Sequence, residues 1–128
     1  MAKSQPFSGI LRIGDVAMTK SALESALQTN LDRFEPAGSG SMSYAQLQVP
    51  AENDGWNTIL DWMQIIGPRI FALRQQRLIG PANIDLAVAF FADKASLSIE
   101  VPGHVAETIG RYGIDIEFSI YLTNENVR

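Results

Sequence analysis

The chain has 128 residues, a formal net charge of −4, 46% hydrophobic and 19% charged residues, and no cysteine. The length fits one domain, 1–128, that buries a core of its own without staples. The missing cysteines exclude disulfides, thiolate zinc sites and cysteine nucleophiles, and they suit a reducing cytoplasm. No stretch approaches the ~20 apolar residues of a membrane span, and MAKSQPFSGI has no apolar run of signal-peptide length. Without such a span no membrane partner is expected, and the acidic balance disfavours nucleic acid and favours a basic protein.

The first predicted strand is FSGILRIG, Phe7 to Gly14, with Phe7, Leu11 and Ile13 on one face and Ser8, Ile10 and Arg12 on the other. SALESALQTNL reads as a helix, with Ser21 and Glu24 at capping-box spacing. PAGSGS, 36–41, is a loop leading into SYAQLQVP, a strand whose Ala45, Leu47 and Val49 alternate with Tyr44, Gln46 and Gln48. A long helical pattern runs from Trp56 to about Leu78, and Gly67-Pro68 predicts a kink or a restart within it. NIDLAVAFFA and ASLSIEVP read as a third and a fourth strand forming a hairpin around Asp93-Lys94. GHVAETIGRYG is a short helix with Gly113 beyond its end, and GIDIEFSIYL is the fifth strand. The expected architecture is α+β, in the order β-α-β-α-β-β-α-β. It is a five-stranded mixed, mostly antiparallel sheet with helices on one face. The expected core is Leu11, Ile13, Leu23, Leu27, Leu47, Trp56, Leu60, Met63, Ile66, Leu86, Val88, Phe90, Leu97, Ile99, Ile109, Ile116, Phe118 and Ile120.

Four stretches together resemble a mainly bacterial family of domains of unknown function. These are LRIGD (Leu11 to Asp15), Gly55-Trp56 at the start of the long helix that runs on into LRQQRLIG, the strand IDLAVAF, and the closing GIDIEFSIY. The resemblance covers most of the chain. It implies a fold and carries over no catalytic residue.

The residues that packing does not need are the outward ones. Asp85, Glu100, Asp115 and Glu117 project from one open face if the last three strands are neighbours. Carboxylates gathered there could serve acid-base chemistry or hold a hard cation, but alternation alone also places charges on a solvated face. His104 is the only histidine and cannot build a histidine-rich metal site. Arg69, Arg74 and Arg77 make the back of the long helix basic, the ordinary wet side of an amphipathic helix. No phosphate-loop, HExxH or GxSxG pattern occurs. No catalytic residue, metal ligand or cofactor follows from the sequence. The expected role is a non-enzymatic protein-interaction module, of which an immunity protein that neutralises a toxin is one form. The candidate contact residues are Tyr44, Gln46, Gln48, Trp62, Asp85, Asp115, Glu117 and Tyr121. The alternative is a small-ligand binder or enzyme with a pocket on the open face around Arg12, Asp85 and Asp115. The oligomeric state is not set by the sequence.

Overall fold

A computed structural model describes residues 5–38 and 42–123. The elements are β1 (Ser8–Val16), α1 (Lys20–Leu27), β2 (Arg33–Glu35), β3 (Ser43–Val49), α2 (Gly55–Gln75), β4 (Ala82–Phe91), α3 (Gly103–Arg111) and β5 (Asp115–Thr123). The fold is α+β, with five strands in the order β2-β3-β1-β4-β5 and three helices. All pairings are antiparallel except β4 with β5. Part of the loop expected at 36–41 lies outside the described residues.

Two placements differ from the sequence reading. ASLSIEVP does not form a strand beside β4, and only Ile99 within it makes a β-bridge. The reason is geometric. A strand has two hydrogen-bonding edges, and β4 gives one to β1 and the other to β5. The Leu97, Ile99 and Val101 alternation instead half-buries these residues in an extended segment, with Ile99 and Val101 against the core. That segment leads into α3, so β4 and β5 are joined by a crossover and run parallel, as a helical connection allows. The remaining strand is the short β2, whose Arg33 and Glu35 pair across from Gln46 and Tyr44. Three residues of charged-aromatic-charged pattern are too few for periodicity to register.

The helices also depart in detail. Thr19, not Ser21, caps α1: its hydroxyl accepts from the Ala22 amide at 3.2 Å. Glu24 reaches forward instead, and its carboxylate accepts from the Leu31 amide at 2.9 Å. α2 is one unbroken helix through Pro68 rather than two segments. Pro68 is exposed, on the wet side of the helix. Gly67, just before it, faces α3: a Cβ there would sit 2.2 Å from the Tyr112 ring.

The core lies between the helices and one face of the sheet. It is built from Leu11, Ile13, Leu47, Ile84, Leu86 and Val88 below and Leu23, Leu27, Trp56, Ile59, Met63, Ile66, Ile70 and Ile109 above. Trp56 meets Phe118 edge to face at 6.4 Å. Expected core members Leu60, Phe90, Leu97, Ile99, Ile116 and Phe118 are only half-buried, and Ile120 is 46% exposed. β5 is an edge strand, so its residues lack a neighbour on one side. No helix among the described residues is long and apolar enough to cross a membrane.

Met63 has no solvent exposure, so Met63→Ala is expected to destabilise by about 2–5 kcal/mol in chemical denaturation. Gly67→Ala pits helix propensity, worth about 1 kcal/mol in favour of alanine, against collision with Tyr112. The collision should win, giving a net loss of about 1–3 kcal/mol. A double-mutant cycle with Tyr112→Ala should recover that loss; additive effects would mean that the ring is not the obstacle.

Candidate functional site on the open sheet face

Alternation along the strands sends one set of side chains to the core and leaves the other on the uncovered face. Register then aligns that second set into rows. Arg33, Gln46, Arg12, Asn83 and Asp115 form one row across all five strands. Gln48, Ile10, Asp85 and Glu117 form the next, followed by Ser8, Ala87 and Ser119, and then by Ala89 with Tyr121. Seven of the eight predicted contact residues therefore share this face: Tyr44, Gln46, Gln48, Asp85, Asp115, Glu117 and Tyr121. Trp62 does not. It is half-buried on α2, packed against the core on the helix side. Glu100 also leaves the carboxylate set, because the strand that would carry it is absent from the sheet. His104 is exposed on α3, away from the rows.

The polar groups of the face bind one another. Arg12 donates to Asp85 at 2.9 Å and lies 3.7 Å from Glu117. The Ser119 hydroxyl lies 2.7 and 2.9 Å from the two Asp85 oxygens. The Asn83 amide donates to Glu117 at 2.7 Å, and the Gln46 amide donates to the Tyr44 hydroxyl at 2.8 Å. Asp85 has only 8% of its surface exposed, so its charge requires such partners. The bond to Asp85 and the nearby carboxylate charges hold the Arg12 guanidinium above its ordinary pKa, against a smaller opposing effect of burial. Arg12, Asp85 and Ser119 link β1, β4 and β5 side chain to side chain, in addition to their backbone ladders.

This bonding decides what the carboxylates can do. Asp85 and Glu117 stand opposite each other on parallel strands, yet Arg12 sits against both. Asp85 has both oxygens engaged by Arg12 and Ser119, and Glu117 accepts from Asn83. Among the described residues no group of three or more histidine or acidic side chains could hold a metal ion.

Between the polar rows lie apolar and aromatic groups. Ile10 is 36% exposed, and Tyr121 is 55% exposed with its ring edge-on to Phe7 at 6.2 Å. Sequence reading left out Phe7, which its alternation put on the core side. Phe7 precedes β1, its amide still donates to the Ala87 carbonyl at 3.0 Å, and its ring is exposed beside Tyr121. Ser119 was also left out; register with Asp85's neighbour Ala87 is what brings it in. Beside Ile10 lies an open depression of about 270 Å³, bordered by Ser8, Asp32, Gln46 and Gln48.

Two outcomes follow from this geometry. Asp85→Ala leaves Arg12 beside an apolar gap and should cost about 1–3 kcal/mol, whereas Asp85→Asn should cost less because an amide still accepts from Arg12. The contribution of Arg12 is fully present below the ordinary arginine pKa and is lost only as pH rises through its higher folded value. The Asp85→Ala cost should therefore not vary through Arg12's titration between about pH 6 and 9; a steep change measured by denaturation would place the charge elsewhere. Millimolar Mg²⁺ or Ca²⁺ should leave the melting temperature unchanged, because the described residues hold no group of ligands for a cation to fill. Comparison with protein-family models, curated proteins and solved structures found no match to this chain. The site therefore rests on its own geometry.

Proposed function

We propose that the chain is a non-enzymatic protein-interaction domain, whose open sheet face docks a protein partner with a basic surface. The observation that carries this reading is the mutual bonding of the polar side chains on that face. A site for a small substrate needs polar groups aimed into a cavity and held ready for the ligand. Here they are aimed at each other, on an open surface, with exposed Ile10, Phe7 and Tyr121 beside them. Rigid, pre-bonded polar rows around apolar anchors suit a macromolecular contact, where aromatic groups supply most of the energy and polar ones set the register. Charge supports the kind of partner. Asp85, Asp115, Glu117 and Glu35 outnumber Arg12 and Arg33 on this face, so a basic surface is favoured and nucleic acid is not. An immunity-type inhibitor that holds a basic toxin in the cytoplasm would use such a surface.

Binding should be weakened, without unfolding, by Asp115→Lys combined with Tyr121→Ala. Both residues are exposed, and such changes usually stay within about 0.5 kcal/mol of neutral for stability. In a pull-down from the native host, wild type should capture a basic protein that the double variant loses, with a salt-sensitive on-rate. Equal capture by both proteins, at matched melting temperatures, would move recognition off this face.

A further inference from the structure

The C-terminal ends of α2 and α3 come together, where Arg74 of α2 reaches the Gly113 carbonyl just after α3. A cleft of about 400 Å³ opens there, lined by Phe71, Arg74, Gln75, Arg77, Tyr112 and Gly113. We propose that this cleft binds a small organic phosphate carrying a planar ring, such as a nucleoside monophosphate. This proposal does not rest on the open sheet face.

The two helix ends are built alike. After α2, the Leu78 amide donates to the Leu73 carbonyl at 3.0 Å, and Arg77 between them is left-handed, with φ 60°. After α3, the Ile114 amide reaches the Ile109 carbonyl at 3.3 Å, and Gly113 is left-handed, with φ 72°. In this helix-ending motif glycine is the usual left-handed residue, because it has no Cβ to strain. Gly113 follows that rule, and a Cβ there would also sit 2.9 Å from the Arg74 guanidinium. The end of α2 breaks the rule and places an arginine in the strained position, beside the cleft.

Local roles account for Arg74 but not for Arg77. Arg74 donates to the Gly113 carbonyl at 2.6 Å, which ties the two ends together and complements the partial negative charge of the helix C-termini. Among the described residues the Arg77 side chain makes no hydrogen bond and no ion pair, and neither arginine has a carboxylate within ion-pair distance. Among the described residues no acidic side chain lines the cleft, although the chain is acidic overall. Guanidinium forks match phosphate oxygens; Arg77 brings a whole fork to the cleft, and Arg74 borders the same cleft with one nitrogen already bonded to Gly113. Aromatic rings complete it. Tyr112 is seated against Gly67, and Phe71 is 40% exposed on the exit side of α2. A base or similar ring can stack on either, while its phosphate meets the arginines.

The test separates binding from folding. Arg77→Gly and Arg77→Asn both suit a left-handed backbone, so both should melt at or above the wild-type temperature without ligand. The probes are AMP, inorganic phosphate and adenosine, followed by calorimetry and thermal melting. AMP should bind saturably and raise the melting temperature, inorganic phosphate should bind more weakly, and adenosine should have no effect. Both Arg77 variants should lose at least about tenfold in AMP affinity, equivalent to about 1.4 kcal/mol. No saturable response to AMP up to about 10 mM would overturn the proposal, since native-state binding at that excess must shift the melt. So would undiminished AMP affinity in the Arg77 variants, or adenosine binding as well as AMP. Equal binding of inorganic phosphate and AMP would overturn the assignment of a ring. Arg77 variants that melt clearly below wild type would show that the arginine has a structural role, which also overturns it.

Discussion

Both hydrogen-bonding edges of β4 are taken, one by β1 running antiparallel and the other by β5 running parallel. Most of the architecture follows from this. Once β1 and β5 flank it, residues 95–102 have no place beside β4, and the chain must cross over through α3 to deliver β5 in the same direction. Burial on both faces follows too. Residues 84–88 of β4 are all buried, on the helix side by the core and on the other by Arg12, Ser119 and their neighbours. Asp85 is thus a carboxylate in the middle of a sheet, and its position demands the arginine and the hydroxyl that meet it.

Those demands also shape the chemistry of the surface. A buried charge is retained only with partners, and here the partners come from the strands on either side. The same bonds that make Asp85 tolerable occupy both of its oxygens. Because Arg12 is divided between Asp85 and Glu117, the centre of the face carries paired charge. The cleft at the helix ends is the reverse case. There Arg74 is half-buried and bonded to the Gly113 carbonyl, whereas Arg77 is exposed and no burial penalty forces it to pair.

What could be read from the sequence was periodic. Two-residue alternation gave the sides of β1, β3, β4 and β5, and therefore the shared face of Tyr44, Gln46, Gln48, Asp85, Asp115, Glu117 and Tyr121. The helical stripe Trp56, Ile59, Met63, Ile66, Ile70 and Leu73 is the buried side of α2. What could not be read was pairing. Leu97, Ile99 and Val101 alternate as well as any strand, and nothing local says that β4 has no edge left for them. β2 is too short to carry a period. Pro68 punctuates the sequence but not the helix, because its effect falls on the exposed side. The Arg12, Asp85 and Ser119 contact depends on register between strands far apart in the chain, which single-strand patterns do not encode. The arginine in a left-handed turn was equally hidden, since backbone handedness at a helix end follows from hydrogen bonding and not from residue type alone.

The placement of β4 also has a kinetic consequence. Arg12 and Asp85 are 73 residues apart, and the ladder they belong to cannot form until most of the chain is available. Loops of that size slow folding relative to local contacts. β1, β2 and β3, with α1, have nearby partners and can assemble early during synthesis, leaving the β1 edge that β4 will occupy exposed to any other extended segment. β5 must come last, because it docks only on a formed β4. Trp56 touches Phe118 of that strand, so its fluorescence is placed to report the final step. The chain is therefore most exposed to wrong pairing during the interval between the folding of its first half and the arrival of β4.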